Sequence, residues 1–535
     1  MKNLIILITI MGMFSSQVFS NESKLKKLSQ TNNKIIGYAI LKDPAKFIQK
    51  IIKVSDTIYP GSSAQIKAQI AMIQPILDKS VKVVIVLYSA DKIQDDPGIG
   101  YFIETTDNTV FNNMIINGIP NKATVGNTMI ISNKAAFLER FKGIKKEVDQ
   151  LTSNEDIEGY LDIKNISALA QELIPFAAAK ELLKQAQSLT ATIGFTDLGL
   201  NLNTTFNPTP GSHLEEAFDQ SGNTSNTIYH IAGKGNYMRQ TITIDYTKFK
   251  AITKDIVKII KEVPGLTTEH QKLIDQVYAL VLENLNISKT LQAASSINIG
   301  EKVKTKQVMK IYDAIRSIKL TQKLIDLIKS PAVKVLLENA PKALTSSLDL
   351  KLELKETTDG VSIYKMNIFN KEKLKEQMQG PFDMISSMPG IDGYFFGIKG
   401  DFLFMAETID LVKEMNLKSN TSPTESDKLE SMKHFKSGYH AYTDFNLKGY
   451  ALQTLMMIKK TPMGGAIPIT VKDIRALNIK PFRISTKLSK TLSNSVYMDF
   501  KSIGTMVAKG IEIWMSQMAA RPNVNRGGNG GPAQP

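Results

Sequence analysis

Part of this sequence occurs twice, and that repetition limits the folds that the chain can adopt. Three short blocks in the first half of the 535 residues return in the same order in the last third. They begin near Gln94, Gly126 and Tyr160, and their counterparts begin near Thr357, Gly400 and Tyr442. The separation between partners grows from block to block, while residues 126–141 align with 400–415 without a gap. Insertions that fall between elements are those that surface loops tolerate, so the pattern predicts two copies of one fold.

The strand and helix patterns predict the α+β class. Tight turns at Gly126-Asn127 and Lys399-Gly400 place consecutive strands side by side. Such short connections join antiparallel strands, because parallel neighbours need a long crossover. We therefore expect two tandem related lobes, each a mainly antiparallel sheet packed with helices. The second lobe is expected to be enlarged by a helical block at about residues 246–340, with helices at 246–263, 268–285 and 304–330. A long helix is expected at 167–188 in the first lobe.

The beginning of the chain has the pattern of a secretory signal peptide. Lys2 precedes an apolar run at residues 4–14, and the small residues Val18 and Ser20 stand where a signal peptidase cuts. The run is shorter than the roughly 18 to 20 residues that span a bilayer. No later stretch is apolar enough to span one, so cleavage is expected to leave no transmembrane segment.

Composition predicts the boundaries of the remaining segments. The expected division is a signal peptide at 1–20, a flexible lead-in at 21–33, lobe 1 at 34–207, a linker at 208–225, lobe 2 at 226–520 and a disordered tail at 521–535. The linker is rich in Pro, Gly, Ser and Asn, which favour turns. The tail is rich in Gly, Pro and Asn and has too little apolar content to order itself.

Charge and cysteine content limit the partners and the compartment. The formal net charge is +15, which favours an anionic envelope component or a lipid surface as partner. The lysines are scattered, with no basic run interleaved with aromatic residues, so nucleic acid is an unlikely ligand. The chain has no cysteine, which excludes disulfides and a lipidated N-terminal Cys. With the signal pattern, this composition predicts export to a bacterial periplasm or to the extracellular space.

One predicted helix, at residues 246–263, is basic and amphipathic. Its apolar arc consists of Phe249, Ile252, Ile256, Ile259, Ile260 and Val263. Its opposite side carries Lys250, Lys254, Lys258 and Lys261. Such a helix either lies on an anionic membrane or packs its apolar arc on the sheet with the lysines in solvent. Packing is the more common case, and the single Phe at the apolar edge favours it.

The motifs that carry common chemistries are absent. The five histidines form neither HExxH nor a pair at helical spacing, and no cysteine is present to bind zinc. There is no G-x-S-x-G and no phosphate-binding Gly-rich loop. We therefore expect no metal, no cofactor and no nucleophilic catalysis.

A repeated Tyr and Asp is the best candidate for a site. Tyr160 and Asp162 recur as Tyr442 and Asp444, and residues i and i+2 of a strand share a face. Two carboxylates contributed by two lobes could serve a glycosidase, which needs them about 5 to 10 Å apart. The simpler interpretation is that each Asp caps the helix that follows its strand, near Asn165 or Lys448.

An aromatic group brackets the turn at Gly400. Its members are Tyr394, Phe395, Phe396, Phe402 and Phe404. Alternate residues of a strand point to opposite faces, so part of the group could form a ligand surface. A sheet core between helices is the more common arrangement.

Together these patterns predict an exported, soluble, non-catalytic binding or scaffold protein of the bacterial cell envelope. Its ligand is not identified by the sequence, although the charge favours an anionic one. Two alternatives stay open. The first is a periplasmic carrier of lipid or another hydrophobic ligand, with an apolar tunnel. The second is an envelope hydrolase, for which Asp162 and Asp444 would be the first candidates.

Overall fold

The fold is known from a computed structural model of the chain. It describes residues 35–519 except 59–60, 72–73, 90–96, 110–120, 171–175, 197–198, 222–225, 234, 236, 290, 300–302, 332, 334–346, 371, 374–375, 377–392, 428–437 and 460–469. The predicted signal peptide, lead-in and tail therefore lie outside the described residues.

The described chain is a mixture of helices and strands, as the α+β prediction requires. The strands are β1 Ile35–Lys42, β2 Ser80–Tyr88, β3 Gly98–Thr105, β4 Lys122–Val125, β5 Thr128–Ser132, β6 Ile157–Asp162, β7 Ala186–Phe195, β8 Gly199–Pro208, β9 Met238–Ile244, β10 Leu291–Ile299, β11 Val303–Lys310, β12 Leu348–Thr358, β13 Val361–Phe369, β14 Tyr394–Lys399, β15 Phe402–Ala406, β16 Ala441–Phe445, β17 Phe482–Leu488 and β18 Leu492–Asp499.

Along the chain, most of the described helices lie in connections between two strands that are neighbours in the sheet. They are α1 Pro44–Ile58, α2 Ser63–Ile70, α3 Gln74–Leu77, α4 Ala135–Gly143, α5 Lys145–Asp149, α6 Ile163–Ala170, α7 Ala177–Lys184, α8 His213–Phe218, α9 Tyr229–Ala232, α10 Lys250–Lys261, α11 Thr268–Ile287, α12 Ala314–Ile328, α13 Ile409–Ser419, α14 Leu447–Lys459, α15 Val471–Ala476 and α16 Phe500–Ala519. A 3-10 turn, Tyr246–Phe249, precedes α10.

The described strands form one sheet of 18 strands in which every neighbouring pair is antiparallel. The order is β4-β5-β3-β2-β1-β6-β7-β8-β18-β17-β16-β9-β10-β11-β15-β14-β13-β12. The prediction of antiparallel pairing is confirmed. The first and second halves of the chain meet only once within the sheet, where β8 pairs with β18.

Read outward from that junction, the strands follow the same connectivity on both sides. One side runs β8, β7, β6, β1, β2, β3, β5, β4, and the other runs β18, β17, β16, β9, β10, β11, β15, β14 before it adds β13 and β12. The third sequence block agrees with this order, because it matches β6 to β16. The first block does not agree, since it places Tyr101 of β3 against Tyr364 of β13, whereas β11 holds the position that corresponds to β3.

Helices cover both faces of the sheet, but unevenly. We call the face that carries Tyr160, Thr192, Asn203, Ser485 and Tyr442 the front face, and the opposite face the back face. On the front face, the buried Phe141 of α4 packs on Phe102 in the first half. In the second half, Val412 of α13 belongs to the cluster of Phe404. Both flanks of the front face are thus apolar cores.

The back face is covered by a different set of helices. In the first half, Phe47 of α1 contacts Phe195 edge to face, with ring centroids 5.5 Å apart. In the second half, α11 and α12 contribute Ile287 and Leu320 to a cluster with Leu403. The aromatic group around Gly400 divides between the cores: Phe395, Phe402 and Phe404 belong to the front cluster and Phe396 to the back cluster. This supports its interpretation as a sheet core.

Two predicted helices are wrong in part. Residues 304–330 are not one helix, because Val303–Lys310 forms β11 and only Ala314–Ile328 is helical. Residues 167–188 are not one helix either, since α6 ends at Ala170 and β7 begins at Ala186. The strands in these two segments, β11 and β7, carry polar side chains whose partners lie on other elements. On β11, the Lys306 ammonium lies 2.6 Å from Glu414 of α13. On β7, Ser188 Oγ accepts from Asn207 Nδ2 of β8 at 3.1 Å.

The predicted linker and helical block also differ from the structure. Within 208–225, Ser212 caps the helix α8, and Gln220 is fully buried and accepts a hydrogen bond from the Asp245 backbone N–H at 2.7 Å. The described part of this segment is therefore built into the fold. Residues 246–340 contain the helices α10, α11 and α12, and between α11 and α12 they also contain the strands β10 and β11.

Candidate functional site: a polar trough at the centre of the front face

Four neighbouring strands at the centre of the sheet have an entirely non-aliphatic front face. Its positions are Thr190, Thr192 and Gly194 on β7, Asn201, Asn203 and Thr205 on β8, Ser493, Ser495 and Tyr497 on β18, and Arg483, Ser485 and Lys487 on β17. We call this surface the trough. The row Thr192, Asn203, Ser495, Ser485 crosses it directly from β7 to β17. Within the described residues, none of these side chains belongs to a hydrophobic cluster.

The trough is open to solvent and lies between two apolar cores. Asn203, Arg483 and Lys487 are exposed, whereas Thr190 and Thr192 are buried at the side of the first half. The back faces of β7 and β8 carry residues such as Ile193 and enter the core. The back faces of β17 and β18 are half-buried and include a hydrogen bond from Thr486 Oγ1 to Asn494 Oδ1 at 2.7 Å.

Nine of the twelve trough positions hold glycine or a short polar side chain, and this distinguishes the trough from an ordinary solvated sheet face. The edge strand β12 shows the ordinary case, with exposed Lys351, Glu353 and Lys355 that pair among themselves and with Asp349. In the trough, hydroxyl and amide groups bond across strands instead: Thr205 Oγ1 lies 3.1 Å from Ser493 Oγ. Such groups both donate and accept hydrogen bonds, and they leave the sheet accessible to a bound molecule.

The predicted site residues Tyr160 and Asp162 lie on β6, at the first-half border of the trough. The Tyr160 hydroxyl donates to Asp162 Oδ2 at 3.3 Å, and Asp162 Oδ1 accepts from the Asn165 backbone N–H at 2.8 Å. Asp162 therefore caps α6, as its simpler interpretation predicted. Tyr160 also stacks on Tyr38, and burial, with Tyr160 and Glu158 nearby, raises the pKa of Tyr38.

Tyr442 and Asp444 lie on β16, at the opposite border of the trough. The Tyr442 hydroxyl donates to Asp444 Oδ1 at 2.5 Å, and Arg483 Nε lies 3.3 Å from the same oxygen. Burial and the bond to Asp444 raise the pKa of Tyr442. Asp444 does not cap α14, because the side chain of Asn446 accepts the Lys448 backbone N–H at 3.0 Å. The predicted cap is wrong for this copy, and Asp444 orients Arg483 instead.

The two carboxylates are too far apart to act as a catalytic pair. Asp162 on β6 and Asp444 on β16 are separated by β7, β8, β18 and β17, which amounts to five strand spacings or about 24 Å along the sheet. A glycosidase needs its carboxylates about 5 to 10 Å apart. The sheet order therefore does not support Asp162 and Asp444 as the two carboxylates of one hydrolase site.

The basic helix α10 lies elsewhere, among helices. Its Ile252 is buried, but Ile256, Ile260 and Val263 are each more than 40% exposed. The prediction that the whole apolar arc packs on the sheet is therefore wrong. Lys254 and Lys258 are exposed, Lys250 is half-buried, and Lys261 contacts Asp275 of α11 at 2.5 Å.

A buried histidine joins the second half to the segment that was expected to be a linker. His440 Nδ1 accepts from the Leu488 backbone N–H at 3.0 Å, and its Nε2 lies 2.9 Å from the Gln220 carbonyl oxygen. With Nδ1 accepting, a neutral ring with the proton on Nε2 satisfies both contacts. Burial lowers the pKa of His440.

This pKa shift predicts a loss of stability in mild acid. The unfolded chain takes up the proton near pH 6.5, while the folded chain resists it. The contribution of His440 to stability is therefore complete above pH 6.5 and falls as the pH decreases toward the folded pKa, by at most about 1.4 kcal/mol per pH unit. Urea unfolding at several pH values should show a smaller decrease for His440→Asn than for the wild type. Equal pH slopes would contradict the assignment.

The described residues include neither a metal-binding cluster nor a membrane-spanning helix. Within the ranges given above, no group of three or more Asp, Glu or His side chains is placed to hold a metal ion. None of the described helices is long and apolar enough to cross a membrane.

The residues of the trough were not singled out by sequence reasoning. The sequence does indicate a polar face on β7, since Thr190 and Thr192 alternate with apolar residues along this strand. The pattern did not show that β8 and β18 are neighbours. No protein-family model, curated protein or solved structure matches this chain. A function therefore has to follow from the geometry of the site.

Proposed function

We propose that the chain consists of two related α+β lobes fused edge to edge at β8 and β18. The identical outward order of eight strands on each side of the junction supports this duplication. The gapless sequence block supports it as well, because it aligns β5 and α4 with β15 and α13. Phe141 and Met415 occupy aligned positions in that block, and both are completely buried. The strands β12 and β13 are then additions to the second lobe.

The two-lobed chain is a non-catalytic binding or scaffold protein of the bacterial cell envelope, and the trough is its ligand site. The observation that carries this proposal is the run of four strands with short polar front-face side chains between two apolar cores. Edge-to-edge fusion of two lobes creates such a surface, to which each lobe contributes two strands. Its donors and acceptors suit a polar, hydroxyl-rich or charged molecule.

The charges of the trough favour an anionic ligand. The exposed ionic side chains on its four strands are Arg483 and Lys487. Of the acidic side chains around them, Glu158 and Asp162 are buried, Asp499 is buried and accepts from the Ser502 backbone N–H, Asp444 contacts Arg483, and the exposed Glu155 lies against Gly194. The net charge of +15 acts in the same direction by attracting anions over a longer range. The signal-peptide pattern of residues 1–20 and the absence of cysteine support an exported location.

Binding to dextran sulfate, with neutral dextran as comparison, tests the proposal with a defined polyanionic glycan. We expect the mature protein to bind the sulfated polymer and not the neutral one. Lys487→Glu should weaken binding about tenfold, because a hydrogen bond to a charged group contributes roughly 1.5 to 3 kcal/mol. Biolayer interferometry on immobilised polymer measures both affinities.

Lys501→Glu is the matched control, since Lys501 is exposed on α16 and the substitution changes net charge equally. It should change the affinity less than about twofold. Equal losses in the two variants would show that bulk charge accounts for the binding. No binding to either polymer would contradict the proposed ligand chemistry.

A further inference from the structure

A helical hairpin, α10 and α11, exposes aliphatic side chains on both of its helices, and we call these side chains the stripe. The stripe consists of Ile256, Ile260 and Val263 of α10 and its C-terminal turn, and Val277 and Val281 of α11, each 37% to 45% exposed. The helices α10 and α11 are consecutive, and the salt bridge Lys261–Asp275 joins them. Val277 and Val281 are one helical turn apart, as are Ile256 and Ile260, so each helix presents its pair on one side.

The acidic side chains of α10 and its C-terminal turn contact neighbouring helices, while two lysines of α10 are exposed. Asp255 accepts a hydrogen bond from Gln185 at 2.8 Å and lies 2.8 Å from His213 Nδ1. The Glu262 carboxylate accepts from the Ala178 backbone N–H, with its two oxygens at 2.9 and 3.1 Å. These contacts fix α10 to α7 and α8. The exposed lysines are Lys254 and Lys258.

We propose that the α10–α11 hairpin binds the surface of an anionic lipid bilayer. Exposed aliphatic residues on a helix that also carries lysines match the two components of an interfacial site: apolar burial at the headgroup level and attraction to anionic lipid. The helix α11 packs on the back face, where Leu280 and Ile287 join the cluster of Leu403.

Vesicle flotation of the full mature chain tests the proposal. We expect flotation with vesicles that contain phosphatidylglycerol and little with pure phosphatidylcholine. Added salt should weaken the binding, because it screens the lysines. Ile256→Ser with Ile260→Ser should reduce binding about tenfold or more, because the apolar contribution scales with the buried area. Leu417→Ser, at a 62% exposed position of α13, should leave it unchanged.

The charge contribution has its own pair of variants. Lys254→Glu with Lys258→Glu should abolish the preference for phosphatidylglycerol. Lys146→Glu with Lys164→Glu removes two exposed lysines of α5 and α6 and should preserve that preference. Equal losses in the two double variants would overturn the assignment to this hairpin.

Two further measurements keep the proposal falsifiable if a variant folds poorly or the stripe binds protein. Ile260→Trp in a Trp514→Phe background leaves one tryptophan, whose emission should shift to the blue with anionic vesicles and be quenched by brominated lipid. An unchanged spectrum would overturn the proposal.

Sedimentation velocity without lipid tests whether a second copy of the chain covers the stripe instead. If the protein is a dimer that dissociates in the Ile256→Ser, Ile260→Ser variant, and if it does not bind vesicles, the stripe is a contact between two copies and the membrane proposal is wrong. Lys487→Glu should retain vesicle binding, which separates this test from that of the trough.

Discussion

Proline at position 496 is expected to destabilise the protein by roughly 3 kcal/mol, because it interrupts the sheet where the two halves meet. Val496 of β18 pairs with Ile484 of β17 and with Leu202 of β8. Proline removes the backbone N–H and leaves a carbonyl of a neighbouring strand without its donor, and its ring clashes with the ladder. The loss is a large part of the 5 to 15 kcal/mol that typically separates folded from unfolded domains. Urea unfolding followed by circular dichroism measures it.

Val496→Thr is the control for this substitution, because it keeps the β-branched shape and the backbone N–H. It should cost about 1 kcal/mol or less at this half-buried position. Hydrogen exchange gives a local readout: β8 and β18 should lose protection in Val496→Pro and keep it in Val496→Thr. Unchanged protection of β8 in the proline variant would contradict the pairing of β8 with β18.

Phe141→Ala is expected to cost about 3 to 5 kcal/mol, the range for truncation of a fully buried aromatic residue. Phe141 is 0% exposed, and its ring lies about 6 Å from those of Tyr88 and Phe102. Below it, Gly100 has no room for a side chain, since a Cβ there would lie 2.8 Å from the Phe141 ring. The strand therefore cannot fill the cavity, and relaxation should recover little of the loss. Thermal and urea unfolding measure the change.

The aligned position in the second half gives a matched comparison. Met415→Ala should also be costly, at about 2 to 5 kcal/mol, because Met415 is 0% exposed in the cluster of Val412 and Phe404. Leu417→Ala, two residues further on the same helix, should cost less than about 0.5 kcal/mol at its 62% exposure. A small effect of Met415→Ala beside a large effect of Phe141→Ala would argue against equivalent roles for the two helices.

The sequence was sufficient to predict the class of fold and several elements, because those depend on local patterns. The run of β-branched residues in β2 and the turns at Gly126 and Gly400 are such signals. The strand β11 was mistaken for part of a helix because its side chains do not alternate in polarity. Its Lys306 and Lys310 are tolerated in a central strand because Glu414 and Asp401 lie within contact distance. Those contacts are between residues distant in sequence.

The site was harder to predict than the fold for the same reason. The trough depends on the neighbourhood of β8 and β18, and Thr205 and Ser493 are 288 positions apart. The repeated Tyr and Asp were visible as a pattern, and their two places at the borders of the trough follow only from the sheet order. The exposure of the α10 residues of the stripe was not predicted either. A helical projection of the sequence shows that an apolar arc exists, but it does not show which residues of the arc are covered by other elements.

The pairing of β8 with β18, the last of the described strands, also has a consequence for biogenesis. Until β18 has been synthesised and has reached its place, β8 presents an unpaired edge, and such edges recruit other chains. Closure over so long a separation is expected to be slow. During synthesis the amino-terminal half would thus expose an unpaired strand edge, and a holding chaperone at that stage is expected to improve the yield of native protein.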